Sequence, residues 1–577
     1  KEIGDRADTA AALYVLARAE RDLGDSQAAL TDVQESLQIV EEVRGLAAGR
    51  LLRTSFSASR HDVSTFYVDL LMREHRRDPS KGMDIKALEA SERARARSLI
   101  DLLTESASHQ TGNVDPALVE RERQLSERLA AKSARLVALL ARGGGSGEVN
   151  TLSGEVHDLE SEYDEVHAAV SKSNPAYAAM TQPTAVDVTR LQRDLLDART
   201  IVLEYSLGPD GSYLWAIDRR RVRSVALAPA DQIEDAARAV RDLTVARSDR
   251  DLPRAVARLS ALVLAPVLPL PDNARLVVIA DGALQYVPFA MLTVGTAKSP
   301  EPLVLHAEIV SAPSLSVIAT QRALLADRKP PVKTLAIFAD PVFDAADSRV
   351  RPDGARTAVQ SSDDAADRVR LLAHLPPGSV SAAAVIPRLP FTAEEATAIA
   401  AAAPRDGTLL ATGFSASKAA VLGDHLKDYR YVHFATHGFI DVDHPSLSAI
   451  VLSLVDEQGR PQDGFLRADD LSGLDLSADL VVLSACETGL GKSMKGEGLI
   501  GLTRGVMQAG TPRVLVSLWS VSDRATADLM SRFYREMIGG GKNPSAALRA
   551  AQIAMRQTAR GRSPYYWAAF TLQGDWQ

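Results

Sequence analysis

The chain holds one cysteine, Cys486. It stands at the end of the apolar run Leu480-Val481-Val482-Leu483-Ser484-Ala485, before the small, acidic, glycine-bearing turn Glu487-Thr488-Gly489-Leu490-Gly491. An apolar strand that delivers a polarizable thiol to a tight turn presents a nucleophile at a sheet edge. A second run, Tyr431-Val432-His433-Phe434-Ala435-Thr436, ends the same way on His437-Gly438. The two strand ends suit a cysteine–histidine dyad, in which His437 accepts the Cys486 proton or pairs with its thiolate. The tetrahedral intermediate then needs donors for its oxyanion. The backbone N–H groups of Gly438 and Cys486 are the candidates, and the glycine lets a substrate carbonyl approach closely. The bland alternative is that Cys486 packs as a small buried hydrophobe.

Rival chemistries are near at hand. His433 precedes His437 by four residues and shares its strand face, but lies deeper and reads as a hydrogen-bonded core histidine. His444, in Asp441-Val442-Asp443-His444-Pro445, is another possible base. With Asp441 and Asp443 these three histidines are possible metal ligands, yet their spacing matches no zinc pattern, and no metal or cofactor is expected. The stretch Cys486 to Ser493 ends in Gly-Lys-Ser like a phosphate-binding loop, but Cys486 stands where that loop requires glycine. Gly496 and Gly498 also argue against the long helix from Lys492 that would cradle phosphates.

The elements that must position these residues begin near Thr200. Runs at 201–205, 213–217 and 222–227 read as an antiparallel meander, followed by a helix over 231–264. Further strands are expected at 276–280, 303–310, 335–339, 431–436, 449–454, 480–484, 514–519 and 568–572. Helices are expected at 314–325, 393–403, 418–426, 497–508, 525–537 and 545–557. Asn543-Pro544 supplies an N-cap with proline at the first helical position. Continuous apolar strands separated by helices predict a largely parallel sheet covered on both faces. His437 and Cys486 fall just past strand carboxyl ends, where open α/β sheets bind ligands. The Asp-, Ala-, Ser- and Arg-rich stretch 344–366 is expected to be a mobile surface loop.

The amino-terminal region, 1–110, is helical. Leu13, Leu16, Ala17 and Leu23 fall at helical spacing, Gly24-Asp25 breaks the chain, and Ala28, Ala29, Val33 and Leu37 resume it. The pattern resembles a tetratricopeptide repeat, with a degenerate second unit over 61–105. Further repeats are expected upstream of Lys1, because a few repeats cannot bury their faces alone. Such an array either binds partners on a concave surface or serves as packing. Residues 111–185 are expected to form a long antiparallel helix pair with a flexible tip at Gly143 to Gly147.

Composition narrows the function. A net charge of −8 and a pI near 5.9 argue against a nucleic-acid or anionic-membrane surface. One cysteine cannot form an intramolecular disulfide, which points to a reducing compartment and a cytoplasmic location. No apolar run approaches the roughly 20 residues that span a bilayer.

The carboxyl-terminal half, residues 186–577, resembles a CHAT domain, the caspase-like peptidase domain found behind tetratricopeptide repeats in bacteria. The motifs that carry the resemblance stand in order: Asp281-Gly282-Ala283-Leu284, Val287-Pro288-Phe289, Ala312-Pro313-Ser314-Leu315 and Ala339-Asp340-Pro341. Then come His433-Phe434-Ala435-Thr436-His437-Gly438, Leu483-Ser484-Ala485-Cys486-Glu487-Thr488-Gly489, Gly496-Glu497-Gly498, Leu518-Trp519-Ser520-Val521 and Tyr566-Trp567-Ala568-Ala569-Phe570. The resemblance implies an α/β caspase-like fold, with 190–330 as a pseudo-caspase half and 331–577 as the active half. It implies a signal-regulated cysteine endopeptidase related to caspases and separase, with His437 and Cys486 in the dyad positions. It also implies protein substrates, gasdermin-like pore formers among them, and a regulatory protein or peptide met by the repeats. The competing reading is a catalytically silent scaffold. For the specificity pocket, Ser484 stands where caspases carry a glutamine, and Trp519 ends the bordering strand. Asp523 either faces a basic side chain before the cut bond or caps the helix starting near Ala525.

Overall fold

The computed structural model describes residues 2–46, 50–110, scattered positions of 117–169, 187–296, 298–351, 386–439, 448–484, 486–487, 497–519 and 521–577. The first helical hairpin is α1 (Glu2–Leu23) and α2 (Ser26–Leu46), turned by Gly24 at φ 90°, a backbone state that suits glycine. Helices α3 (Arg50–Arg77) and α4 (Met83–Gln110) come next, joined by a short turn that Asp78 caps and Gly82 closes at φ 62°. Ala17, Ala29, Val33, Val63, Phe66 and Leu70 pack where the first three helices meet. The small residues bring the helices together, whereas Leu16 and Leu23 face outward, 48% and 86% exposed. The expected stripe is therefore split, with Ala17 turned inward and Leu16 and Leu23 outward. Farther on, Arg121 pairs with Glu162 and Lys132 with Glu155, beside a small apolar cluster of Leu125, Leu159 and Val166. The tip at 143–147 lies outside the described residues.

The strands are β1 (Thr200–Ser206), β2 (Ser212–Ile217), β3 (Val222–Leu227), β4 (Ala274–Ile279), β5 (Thr293–Thr296), β6 (Ser299–Pro302), β7 (Ala307–Ser311), β8 (Lys333–Ala339) and β9 (Thr408–Thr412). They continue as β10 (Tyr429–Ala435), β11 (His437–Phe439), β12 (Ala449–Val451), β13 (Phe465–Arg467), β14 (Leu480–Leu483), β15 (Cys486–Glu487), β16 (Arg513–Ser517) and β17 (Phe570–Gly574). Eleven of them form one sheet, ordered β3-β2-β1-β4-β7-β17-β16-β14-β10-β8-β9. The β1-β2-β3 meander and the β16-β17 pair are antiparallel. The remaining neighbours are parallel. This is the mostly parallel, helix-flanked sheet that the apolar runs predict. The last strand lies between β7 and β16, so the chain's end joins the early strands to the late ones.

Every residue of β4 and β14 is buried, as expected for strands covered on both faces. A fully buried valine or leucine side chain contributes roughly 1.5–3 kcal/mol, so these strands form a rigid base for the segments at their carboxyl ends.

Several boundaries differ from expectation. The single helix expected over 231–264 is two, Ala230–Val245 and Leu252–Val263. Pro253 cannot sit in a helix interior but fits the second helix's first turn. Leu303–Leu305 is a short 3-10 turn, with the strand confined to Ala307–Ser311. Edge strand β9 was not expected at all. Residues 344–351, expected to be mobile, are pinned instead. Arg349 donates to the carbonyl and carboxylate of Asp340 at 2.8 and 2.9 Å, and to Asp347 at 2.8 Å. Those contacts hold the Asp347 carboxyl at a pKa of about 2. The rest of that stretch, 352–366, lies outside the described residues.

Candidate active site

Two adjacent strands of the large sheet deliver the candidate dyad. Strands β10 and β14 run parallel, with Phe434 opposite Leu483. Just beyond, both segments enter a second, small sheet ordered β13-β12-β11-β15. There β11 and β15 are parallel, with His437 opposite Cys486 and Gly438 opposite Glu487. Neighbouring strands lie about 4.8 Å apart, so the backbone positions of His437 and Cys486 stand side by side. Thr436, at the crossover, donates its hydroxyl to the Val451 carbonyl at 2.5 Å and fixes the step between sheets. Gly438 is buried in the central strand of the small sheet, between Ile450 and Glu487.

The imidazole of His437 is 3% exposed. Its Nε2 lies 2.7 Å from the Pro387 carbonyl oxygen. A carbonyl only accepts, so Nε2 carries hydrogen and Nδ1 of the neutral ring keeps a lone pair. Among the described residues, Nδ1 has no hydrogen-bond partner although it is buried. The Phe343 ring lies 5.4 Å from the imidazole, tilted by 57°, and fixes its plane. Burial pushes the His437 pKa down, with the Pro387 carbonyl pulling weakly the other way. Burial thus favours the neutral form of the ring, which is oriented and keeps a lone pair on Nδ1 that is unused among the described residues.

His433 is the fully bonded core histidine that its depth predicts. It is 0% exposed, with Nδ1 3.2 Å from the Tyr534 hydroxyl and Nε2 3.0 Å from a carboxylate oxygen of Glu395. Both ring nitrogens are engaged, so it is not an available base. Ser484 is also buried, and its hydroxyl donates to the same Glu395 oxygen at 3.0 Å. Burial, then the neighbouring Glu395 charge, raise the Tyr534 pKa well above its usual value.

Trp519 is 2% exposed and donates its indole N–H to the Tyr565 carbonyl at 3.0 Å. Asp523 opens the helix Asp523–Tyr534, whose N-cap is Ser522. It is therefore a first-turn residue of a helix that starts two residues earlier than expected. Burial, then the Glu395 charge, raise its carboxyl pKa. His444, Asp441, Asp443 and the Thr488–Gly496 turn lie outside the described residues. Among the described residues, no three His, Cys, Asp or Glu side chains cluster to hold a metal ion, and no helix is long and apolar enough to cross a membrane.

Sequence reasoning missed Pro387 and Glu395. A backbone carbonyl leaves no mark in a sequence. Glu395 does leave one, because the helix Phe391–Ala400 buries Thr392, Glu395, Ala396 and Ile399, an i, i+3, i+4, i+7 stripe with a carboxylate on its apolar face.

The same signal marks a second site, where α4 meets the sheet. The Glu92 carboxylate, 0% exposed, accepts the Leu315 N–H at 2.8 Å and the Ser316 N–H and hydroxyl at 2.9 and 2.7 Å. It thus caps the helix Leu315–Leu325 together with Ser314, which accepts the Val317 N–H at 3.0 Å. Arg95 donates to the carbonyls of Ala280, at 2.9 Å, and Tyr205, and pairs with Asp281 at 3.2 Å. Ser91 donates to Glu204 at 2.6 Å. The Ala280-Asp281-Gly282 and Pro313-Ser314-Leu315 motifs are therefore where the helical region docks.

Known proteins resemble this chain over parts of its length. The CHAT domain family model matches residues 253–575, more than half of the chain. Tetratricopeptide repeat protein 28 of Mus musculus is 38% identical over 110 residues, 19% of this chain and 4% of that protein. Its Homo sapiens counterpart is 36% identical over 114 residues, 20% of this chain and again 4% of that protein. The chain thus spans a small fraction of the length of these curated relatives. Two crystal structures of the Saccharomyces cerevisiae separase–securin complex are similar at low identity. One, at 10% identity and TM-score 0.47, covers 95% of this chain and 37% of that chain. The other, at 9% and 0.42, covers 96% and 50%. With its family match spread across the sheet that carries both His437 and Cys486, the chain belongs to the CHAT domain family.

Proposed function

We propose that the chain is a signal-regulated cysteine endopeptidase that cuts a protein partner with Cys486 as nucleophile and His437 as base. The observation that carries this reading is the buried Nδ1 of His437, without a partner among the described residues and one strand away from Cys486 in matched register. In the proposed reaction the Cys486 proton passes to Nδ1, and the thiolate attacks the scissile carbonyl carbon. The developing oxyanion takes hydrogen bonds from the backbone N–H groups of Gly438 and Cys486. The C–N bond then breaks, Nδ1 returns its proton to the leaving amine, and water hydrolyses the thioester with His437 again as base. The Pro387 carbonyl supports the imidazolium formed on the way, since Nε2–H stays bonded to it throughout. A substrate basic before the cut bond fits the Asp523 carboxylate, and a gasdermin-like target and a reducing, cytoplasmic setting fit a working thiol. The helical region, docked through Glu92 and Arg95, is the proposed port for a regulatory protein or peptide.

A catalytically silent scaffold for protein partners is the second reading, and it asks less of the molecule. It needs only the tetratricopeptide-like helices and the CHAT body, and the curated relatives are named for such repeats. One comparison separates the two. Cleavage products are catalogued in a partner-containing extract with the intact protein, Cys486→Ala and His437→Ala. The peptidase reading expects cleavage lost in both variants while the fold is kept. Equal cleavage by Cys486→Ala, or partner capture with no cleavage under any activating condition, favours the scaffold.

A further inference from the structure

The peptide Pro387 to Ala400 touches both arms of the candidate site. At its start, the Pro387 carbonyl holds His437 Nε2. Eight residues on, one oxygen of Glu395 receives His433 from β10 and Ser484 from β14, each at 3.0 Å. His433 lies four residues before His437, and Ser484 two residues before Cys486. The carboxylate is 1% exposed and both its partners are buried, so water does not compete for these bonds. The segment is itself fastened to the end of β8. Arg388 grips the Asp340 carboxylate in a fork at 2.8 and 2.7 Å, and Thr392 accepts the Asp340 N–H at 3.1 Å. Such forked pairs fix orientation as well as distance.

We propose that Glu395 is a positioning residue that locks the two strand ends together, so that His437 and Cys486 keep the register their chemistry requires. This rests on the peptidase reading. Glu395 never meets substrate; it acts through His433 and Ser484. A carboxylate that ties two neighbouring strands and shares a rigid segment with the base's own hydrogen-bond partner couples all three parts. Shifting that segment would free His437 and loosen both strands together. Positioning errors of about 1 Å cost on the order of 100-fold in rate, so the lock also offers a place where a signal could act. Among the described residues, Asp523 and Tyr534 also feel the Glu395 charge.

The test measures the rate of Cys486 alkylation by iodoacetamide across the pH range in the full chain, with circular dichroism and melting recorded for each variant. Cys486 is the sole thiol, so labelling reports it alone. In the intact protein the profile should carry a reactive inflection that His437→Ala abolishes. Glu395→Ala should move that inflection toward the free-thiol value near 8.5 and cut the neutral-pH rate roughly tenfold, about one unit of thiolate pKa. Glu395→Gln keeps an oxygen to accept from both His433 and Ser484, and should recover the rate to within roughly threefold, a rescue that a charge effect alone would not give. Ser484→Ala, which removes one tie without creating a cavity of size, should cost roughly threefold and serves where Glu395→Ala does not fold. A His437-dependent profile in the intact protein that neither Glu395→Ala nor Ser484→Ala alters overturns the positioning role and leaves the peptidase reading standing. A profile that His437→Ala leaves unchanged overturns both.

Discussion

Replacing Glu92 with alanine tests whether the helical region is mechanically joined to the CHAT domain. The change removes the acceptor for three hydrogen bonds of 2.7–2.9 Å at the start of the helix Leu315–Leu325. Because Glu92 is fully buried, the Leu315 and Ser316 N–H groups lose their partner with no water to replace it. Each such orphaned donor costs about 1–3 kcal/mol, and an acid at a helix N-terminus contributes up to ~2 kcal/mol more in a buried setting. Against this, burial and then the Glu92 charge raise the pKa of the neighbouring Glu204, so losing Glu92 relieves part of that penalty. The balance is a loss of about 3 kcal/mol, or roughly 150-fold in the local opening equilibrium. Hydrogen exchange on the full chain reads this directly. Amides of 317–325 and of α4 should exchange roughly 150-fold faster, with β14 and β16 unaffected. Glu92→Gln, which keeps one accepting oxygen, should give a smaller change. A rise below about fivefold in both helices would refute the clamp and the regulatory route built on it.

The remaining expectations concern pH and the pocket. Glu204 is buried beside Glu92, and burial, then that charge, push its pKa well above 4.5. Its folded pKa exceeds its unfolded one, so the stability it contributes is complete below about pH 4.5 and is lost as pH rises toward the folded value. Glu204→Gln should remove up to about 1.4 kcal/mol per pH unit of that slope, seen as a flatter urea-midpoint profile above pH 5; an unchanged slope contradicts the assignment. Asp523 has the same sign for the same leading cause, burial. Asp523→Asn should therefore leave stability at neutral pH equal or higher, while weakening any preference for Arg or Lys before the cut bond. If peptide profiling shows that preference intact, Asp523 is a helix-start residue and nothing more. Arg388→Ala, which opens the fork on Asp340, should slow Cys486 labelling in parallel with Glu395→Ala, and independent behaviour of the two would separate the segment's ends.

Much of the site was legible because strands announce themselves. The runs ending at His437 and Cys486 are short, apolar and followed by turn residues, and β10 and β14 lie within two residues of their expected limits. The ordered motifs also placed the chain among CHAT domains. What could not be read was what holds the site together. The Pro387 carbonyl is backbone, and nothing in a proline's identity says which imidazole it meets. The Glu395 and Glu92 carboxylates lie on helix stripes where apolar residues belong, and a single charge at such a position passes for a fault in the periodicity. Ser484 looked like a pocket residue because it stands two residues before Cys486, yet its hydroxyl is buried and bonded to Glu395. The Asp281 and Ser314 motifs drew attention as family hallmarks, but their contacts are with α4 and with the first turn of a helix, far from the thiol in chain position. Residues at the surface of one domain gave no sign that another domain's helix covers them.

The central claim is that His437 and Cys486 act as a pair. Its most direct test is covalent capture of Cys486 by a thiol-directed peptide electrophile, read by intact-mass spectrometry on the full chain. Prompt labelling at neutral pH that is lost with His437→Ala, while His433→Gln keeps a measurable rate, is the predicted result. Labelling no faster than that of a free cysteine in the unfolded chain, with His437→Ala indistinguishable from the intact protein, would contradict it.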